Sequence, residues 1–157
     1  IGQVMGSCEG REPLQKGKKR GTRMLEAGTE GYQELVVTME DTALAAGSGG
    51  LRVLATPVMC ALMEKACWKS AAGLLGEGED TVGISLSVRH VAATPVGMKV
   101  WCKSCLTQVE GRKLTFHVEA YDEAGLIGTG EHERVLIQAQ RFQEKADAKR
   151  KPEKGKE

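Results

Sequence analysis

The 157-residue chain has no apolar run near the ~18 residues that a helical membrane span requires, and its first residues lack a signal peptide's apolar core. Both absences argue against a membrane-inserted or secreted protein, and a soluble, cytoplasmic chain is expected. An excess of one charge is also missing, the net being +1. The balance hides a pattern: 6 basic against 2 acidic residues in 1–23, and 7 against 4 in 141–157, flank an acidic body. Basic ends without apolar periodicity read as solvated tails rather than nucleic-acid arms, so neither a nucleic acid nor a membrane is expected as partner. The chain opens on Ile1, and Met24 reads as a natural start. Cysteines do not come in an even set: Cys8, Cys60, Cys67, Cys102 and Cys105 number 5, and with no sign of secretion reduced thiols are expected.

The length suits one domain with a real core. Residues 1–29 read as a disordered basic extension, 30–142 as the folded domain and 143–157 as a charged tail. A first strand is expected around Tyr32–Met39, where Leu35, Val36 and Val37 make a short β-rich run. Residues 42–50 are small and Gly-rich and read as a flexible connection. Thr56-Pro57 reads as a helix start, the Thr hydroxyl capping an orphan N–H and Pro57 taking the first helical position. The helix is expected over 57–75. Met59, Leu62, Met63, Ala66, Cys67, Ser70 and Leu74 recur at spacings of three and four, and only a narrow stripe at Lys65 and Lys69 is polar, so a sheet should enclose this helix. Four strands are expected over 81–93, 98–109, 112–122 and 126–140, as an antiparallel meander separated by turns such as Glu110-Gly111 and Asp122–Gly125. The fold class is α+β.

Two ionisable residues stand out. Glu64 borders the apolar face of the helix, near Cys60, Trp68 and Ala71, where a partly desolvated carboxylate suits base or nucleophile work; a solvated residue at the helix margin is the plainer alternative. His90 continues the stripe Val82, Ile84, Leu86, Val88 by period two and should face the helix, as a core histidine or a proton-transfer group. Thr56 adds a hydroxyl beside helix N-terminal N–H groups suited to an oxyanion.

Other patterns carry less. Cys102-x-x-Cys105 lies on a strand, where a separation of three sends the side chains to opposite faces, against a metal or redox pair. His117 and His132 are read on outward or interface faces. Gly128-Thr129-Gly130 lacks the Lys-Ser/Thr of a phosphate loop and reads as a strand bulge.

Three blocks, at 55–67 (ATPVMCALMEKAC), 81–97 (TVGISLSVRHVAATPVG) and 127–134 (IGTGEHER), resemble the fluoroacetyl-CoA thioesterase-like branch of the hotdog superfamily in order and spacing. The resemblance spans 51–142, roughly 60% of the chain. It implies a hotdog fold, an antiparallel sheet wrapped around one long helix, and hydrolysis of a short or medium acyl-CoA to a carboxylic acid and CoA. It places the catalytic trio on Thr56, Glu64 and His90 and substrate contacts on Gly83 and Arg134, with no metal or organic cofactor. It also implies a homodimer or higher homo-oligomer, with acyl-CoA entering along the subunit interface. The aromatic lid segment that the fluoroacetyl-specific enzyme carries before the helix has no counterpart here, since 42–54 is Gly-rich and contains no Phe, so selectivity for fluoroacetyl-CoA is not expected. The rival readings are a non-catalytic acyl-CoA-binding hotdog module and a hotdog hydratase.

Overall fold

The computed structural model describes residues 25–150. Most of the expected N-terminal extension and the last seven residues lie outside them. Five strands make one antiparallel sheet: β1 (Glu30–Val36), β2 (Glu79–His90), β3 (Lys99–Glu110), β4 (Lys113–Asp122) and β5 (Gly125–Gln138). Helix α1 (Ala43–Ala46) is a single turn, α2 (Thr56–Ala72) is the long central helix, and α3 (Ala139–Asp147) follows β5.

Helix α2 forms where the apolar spacing placed it, and it buries Met59, Leu62, Met63, Ala66, Cys67 and Ala71 against the sheet. Facing residues come from alternate positions of β3 and β4: Val100, Cys102 and Leu106, then Leu114, Phe116, Val118 and Ala120. β1 crosses so close to α2 that a Cβ at Gly31 would collide with the Ala66 carbonyl oxygen.

The strand order is β1-β3-β4-β5-β2. Only β3, β4 and β5 form the expected meander. β2 pairs with β5 rather than β3, because the 91–98 connection carries the chain across the sheet. β2 is therefore an edge strand, twelve residues long.

A second departure lies within β2. Its register to β5 shifts between Gly83 and Ser85, leaving Ile84 as the extra residue. Parity flips there. Leu86, Val88 and His90 keep the expected inward direction, but before the bulge Thr81 and Gly83 face in, and Ile84 is 52% exposed.

The 42–50 connection is folded rather than flexible. Thr42 is fully buried, its Oγ1 accepts from Ala45 N, and its hydroxyl donates to the Met39 carbonyl. Ala43 N donates to Val53 O and Leu44 N to Leu51 O, closing the loop on itself. Only its turn at Gly47 uses the left-handed region, φ 73°.

Ordered backbone also starts before residue 30. Leu25 packs against the core, Gly28 N donates to Leu106 O and Leu106 N to Thr29 O. At the other end, α3 is helical but carries no buried residue. Cys60, Cys67 and Cys102 are free thiols, whereas Cys105 is disulfide-bonded, which departs from the expectation of reduced thiols throughout. Gly128 and Gly130 lie beside a bulge rather than forming one: the register to β4 slips at Ile127, and Gly128 leaves room for the Met59 sulfur.

Candidate active site

The five residues singled out for chemistry gather into two groups on one protomer. The first group is Thr56 with His90. Thr56 is the first residue of α2, not its cap; Ala55 holds that position without a side-chain bond. Its hydroxyl is thereby released for His90, and Thr56 Oγ1 lies 2.7 Å from His90 Nδ1. Thr56 N–H points out of the first turn, where helix geometry offers no acceptor, and Pro57 has no N–H to compete with it. His90 closes β2 and is half-buried. Burial pushes its imidazole below the ordinary value, the Ala92 backbone offsetting part of that. Its Nε2 is buried with no partner among the described residues.

The second group is Glu64, Gly83 and Arg134, and it includes a residue the sequence reading placed elsewhere. Arg134 on β5 lies opposite Gly83 on β2 and is only 5% exposed. Its Nε donates to Thr81 Oγ1 (2.8 Å), its Nη2 to Thr81 O (2.7 Å) and its Nη1 to His132 Nε2 (3.1 Å). A guanidinium can only donate, so His132 accepts on Nε2 and carries its proton on Nδ1, which donates to Ser85 O at 2.8 Å. Burial, together with the Arg134 charge, lowers the His132 pKa, in keeping with a neutral ring. Burial also lowers the Arg134 pKa, while Glu64 and Asp80 oppose the shift.

His132 therefore faces inward, contrary to the outward or interface placement expected for it. The signal was available: His132 and Arg134 are two apart on one strand and share a face. His117 does face outward, between Glu131 (2.8 Å) and Glu119 (3.1 Å). Burial works against its proton, but the two carboxylates outweigh it and raise the pKa.

Gly83 is the point on which this second group converges. A Cβ there would sit 3.1 Å from His132 Cε1, 3.5 Å from Arg134 Nη1 and 3.5 Å from Glu64 Oε2. The missing side chain keeps a space open between a carboxylate and a buried guanidinium. Three of Arg134's five N–H groups are occupied by Thr81 and His132, which leaves two for a further acceptor.

The groups do not meet within one protomer. Thr56 and Glu64 are eight residues apart on α2, about 12 Å along the axis. Both are solvent-exposed. Among the described residues no cluster of His, Cys, Asp and Glu has the arrangement of a metal site.

Residues 37–140 match the family model described as fluoroacetyl-CoA-specific thioesterase. A fluoroacetyl-CoA thioesterase from Streptantibioticus cattleyicolor is 42% identical over 97 residues, 62% of this chain and 70% of that protein. The crystal structure of a fluoroacetyl-CoA thioesterase superimposes with a TM-score of 0.75 at 33% identity, covering 82% of this chain and 99% of the other. A Thermus thermophilus thioesterase-superfamily protein gives 0.68 at 33% identity over 83% and 99%. The chain belongs to the fluoroacetyl-CoA-specific thioesterase family and has the hotdog fold, a curled antiparallel sheet packed on one long helix.

Proposed function

We propose that the chain works as a homodimeric acyl-CoA thioesterase, cytoplasmic in setting, in which Thr56 and His90 of one protomer meet Glu64, Gly83 and Arg134 of the other. The observation that carries this reading is the pair of half-sites, about 12 Å apart on one helix and both open to solvent. An edge strand, β2, carries a residue of each half, Gly83 and His90. Antiparallel pairing of β2 with its own copy is isologous, so the Glu64 end of one protomer lies beside the Thr56 end of the other, twice per dimer.

In such a site the thioester carbonyl oxygen lies at the N-terminus of α2, where Thr56 N–H and the helix dipole favour developing negative charge. Glu64 either activates water or attacks the carbonyl carbon itself; both routes end in a carboxylic acid and free CoA. Neutral His90, tied to the Thr56 hydroxyl, takes up and returns the proton. Gly83 admits the thioester to the backbone of β2, and the spare N–H groups of Arg134 hold an acceptor atom of the substrate. None of these steps calls on a metal or organic cofactor.

Thiol release from a panel of acyl-CoA thioesters tests the reading, with Glu64→Ala as control. Hydrolysis abolished by that substitution supports it. Binding of acyl-CoA without thiol release would instead indicate a non-catalytic module.

A further inference from the structure

Helix α2 and strand β2 pack against each other and, among the described residues, share two side-chain hydrogen bonds. One is Thr56–His90, already assigned to the site. The other runs from Trp68 Nε1–H to Asp80 Oδ1 at 2.8 Å, and the mechanism does not use it. Glu64 and Gly83 lie between these two pins, Glu64 between Thr56 and Trp68 on α2, and Gly83 between Asp80 and His90 on β2.

The second pin sits beside a spacing that must be kept. Glu64 Oε2 lies 3.5 Å from where a Cβ on Gly83 would stand, so the two elements face each other there across a gap rather than a bond. The 73–78 turn closes on itself, Gly76 N–H donating to Glu79 Oε1 and Glu79 N–H to Gly76 O, and so fixes its own shape rather than that gap. Trp68 stands one helical turn beyond Glu64, about 6 Å along the axis, and its N–H reaches across to the strand. An indole N–H only donates, which makes this a directional contact that Phe or Leu could not supply. Lys69 Nζ, 4.9 Å from the centroid of the indole ring, steadies its face.

Asp80 passes the hold onward. Thr81 pairs with Leu136, whose own N–H turns the other way to Arg112 O, so the Thr81 N–H lies on the open edge of β2 without a strand to bond within the protomer. Asp80 Oδ1 accepts that N–H at 2.7 Å as well as the indole. A carboxylate oxygen has lone pairs for two donors, and bonds to an ionised acceptor are the strong kind. Thr81 in turn gives both its oxygens to Arg134. One oxygen atom therefore ties the Glu64 helix to the residue that aims Arg134.

We infer that Trp68 and Asp80 are positioning residues for the hydrolysis, their hydrogen bond holding the Glu64 carboxylate at its working distance from Gly83 and Arg134. The inference rests on the thioesterase reading and adds to it two residues that act through others.

Three substitutions separate the bond from the charge. Trp68→Phe keeps a ring and removes the N–H, Asp80→Ala removes the acceptor, and Asp80→Asn keeps an acceptor oxygen while removing the charge. For each, kcat, KM and the denaturation midpoint are measured, using the acyl-CoA thioester that the wild type hydrolyses fastest. Trp68→Phe should lower kcat about tenfold and Asp80→Ala at least as much, with KM within about twofold, because a misplaced carboxylate costs rate rather than binding. Asp80→Asn should recover most of the loss. The first two substitutions cut the same bond, so the double variant should be no slower than Asp80→Ala alone. A lowered midpoint with unchanged kcat would make the pair a stabilising latch and overturn the inference. So would a double variant whose losses multiply, or an Asp80→Asn protein as slow as Asp80→Ala. A wild type that releases no thiol from any thioester would overturn the thioesterase reading and this role with it, whereas wild-type hydrolysis that Trp68→Phe leaves unaltered overturns the role alone.

Discussion

The two halves of the site are built differently. Around Arg134 three of the five guanidinium N–H groups are tied down: the guanidinium spans both oxygens of Thr81, leans on His132, and His132 in turn holds the Ser85 carbonyl at the β2 bulge. Around Thr56 and His90 a single hydrogen bond joins two side chains, and His90 Nε2 has no partner among the described residues. A buried network of several hydrogen bonds fixes geometry. The Arg134 half is thus assembled within the one chain, and the Thr56 half is the one that the proposed dimer would complete.

The largest expected effect comes from the carboxylate facing the assembled half. Glu64→Ala should lower kcat by about a thousandfold, within the range for loss of a positioned base or nucleophile, with an unchanged thermal midpoint because Glu64 is exposed. A loss in KM alone would move Glu64 from chemistry to binding. Next in size, Thr56→Ala should lower kcat by roughly a hundredfold, the cost of weakening one electrostatic contact and freeing the His90 ring.

Breaking the Arg134 network should show as instability as well as lost turnover. Arg134→Ala leaves Thr81 and His132 without their donor and should cost about 1–3 kcal/mol per unsatisfied buried group, read by chemical denaturation. An unaltered denaturation midpoint would contradict the picture of a rigid half. Gly83→Ala places a methyl 3.1 Å from His132 Cε1 and should cut kcat/KM by about tenfold with little change in stability.

Acid should act on both halves. His90 and His132 have pKa values lowered by burial, so the unfolded chain binds more protons than the native one below the ordinary histidine value. Their contribution is complete at pH above about 6.5 and is lost as pH falls through the lowered native values. His117 runs the opposite way: its raised pKa adds stability at low pH that is lost as pH rises through the native value. Thermal midpoints of wild type and His117→Gln from pH 8 to 5 check the signs, and the variant should lose stability more steeply on acidification. The smallest effect belongs to the C-terminal end: a chain trimmed to 1–150 should keep the thermal midpoint and turnover of the full one.

Much of this was legible in the residues. Met59, Leu62, Met63 and Ala66 announce an enclosed helix because their spacing leaves no wide polar face, and the sheet around it follows. Period-two reasoning also aimed His90 correctly. It failed at Ile84, an apolar residue that fits an inward stripe yet is thrown outward by a bulge that no propensity signals. His132 was missed for a related reason: Glu131 and Glu133 on either side suggest a wet strand, although its own parity matches Arg134. Thr56 was read as a cap because Thr before Pro is a common helix start; the helix begins one residue earlier, and that single step frees the hydroxyl for His90. The Gly-rich 42–50 segment hid its order in backbone hydrogen bonds, which composition does not report. Strand order was out of reach too, since pairing β2 with β5 depends on how the 91–98 connection crosses the sheet.

The central claim is that one working site needs two protomers. Glu64→Ala and His90→Ala proteins, each inactive alone, can be unfolded together, refolded as a mixture and assayed for thiol release. In a mixed dimer one composite site carries both substitutions and the other carries neither. The account therefore expects recovery of about a quarter of wild-type activity, since half the dimers are mixed and each of those has one intact site. A mixture as inactive as its components, with mixed dimers verified by mass, would place all three residues in a single protomer's site and contradict the account.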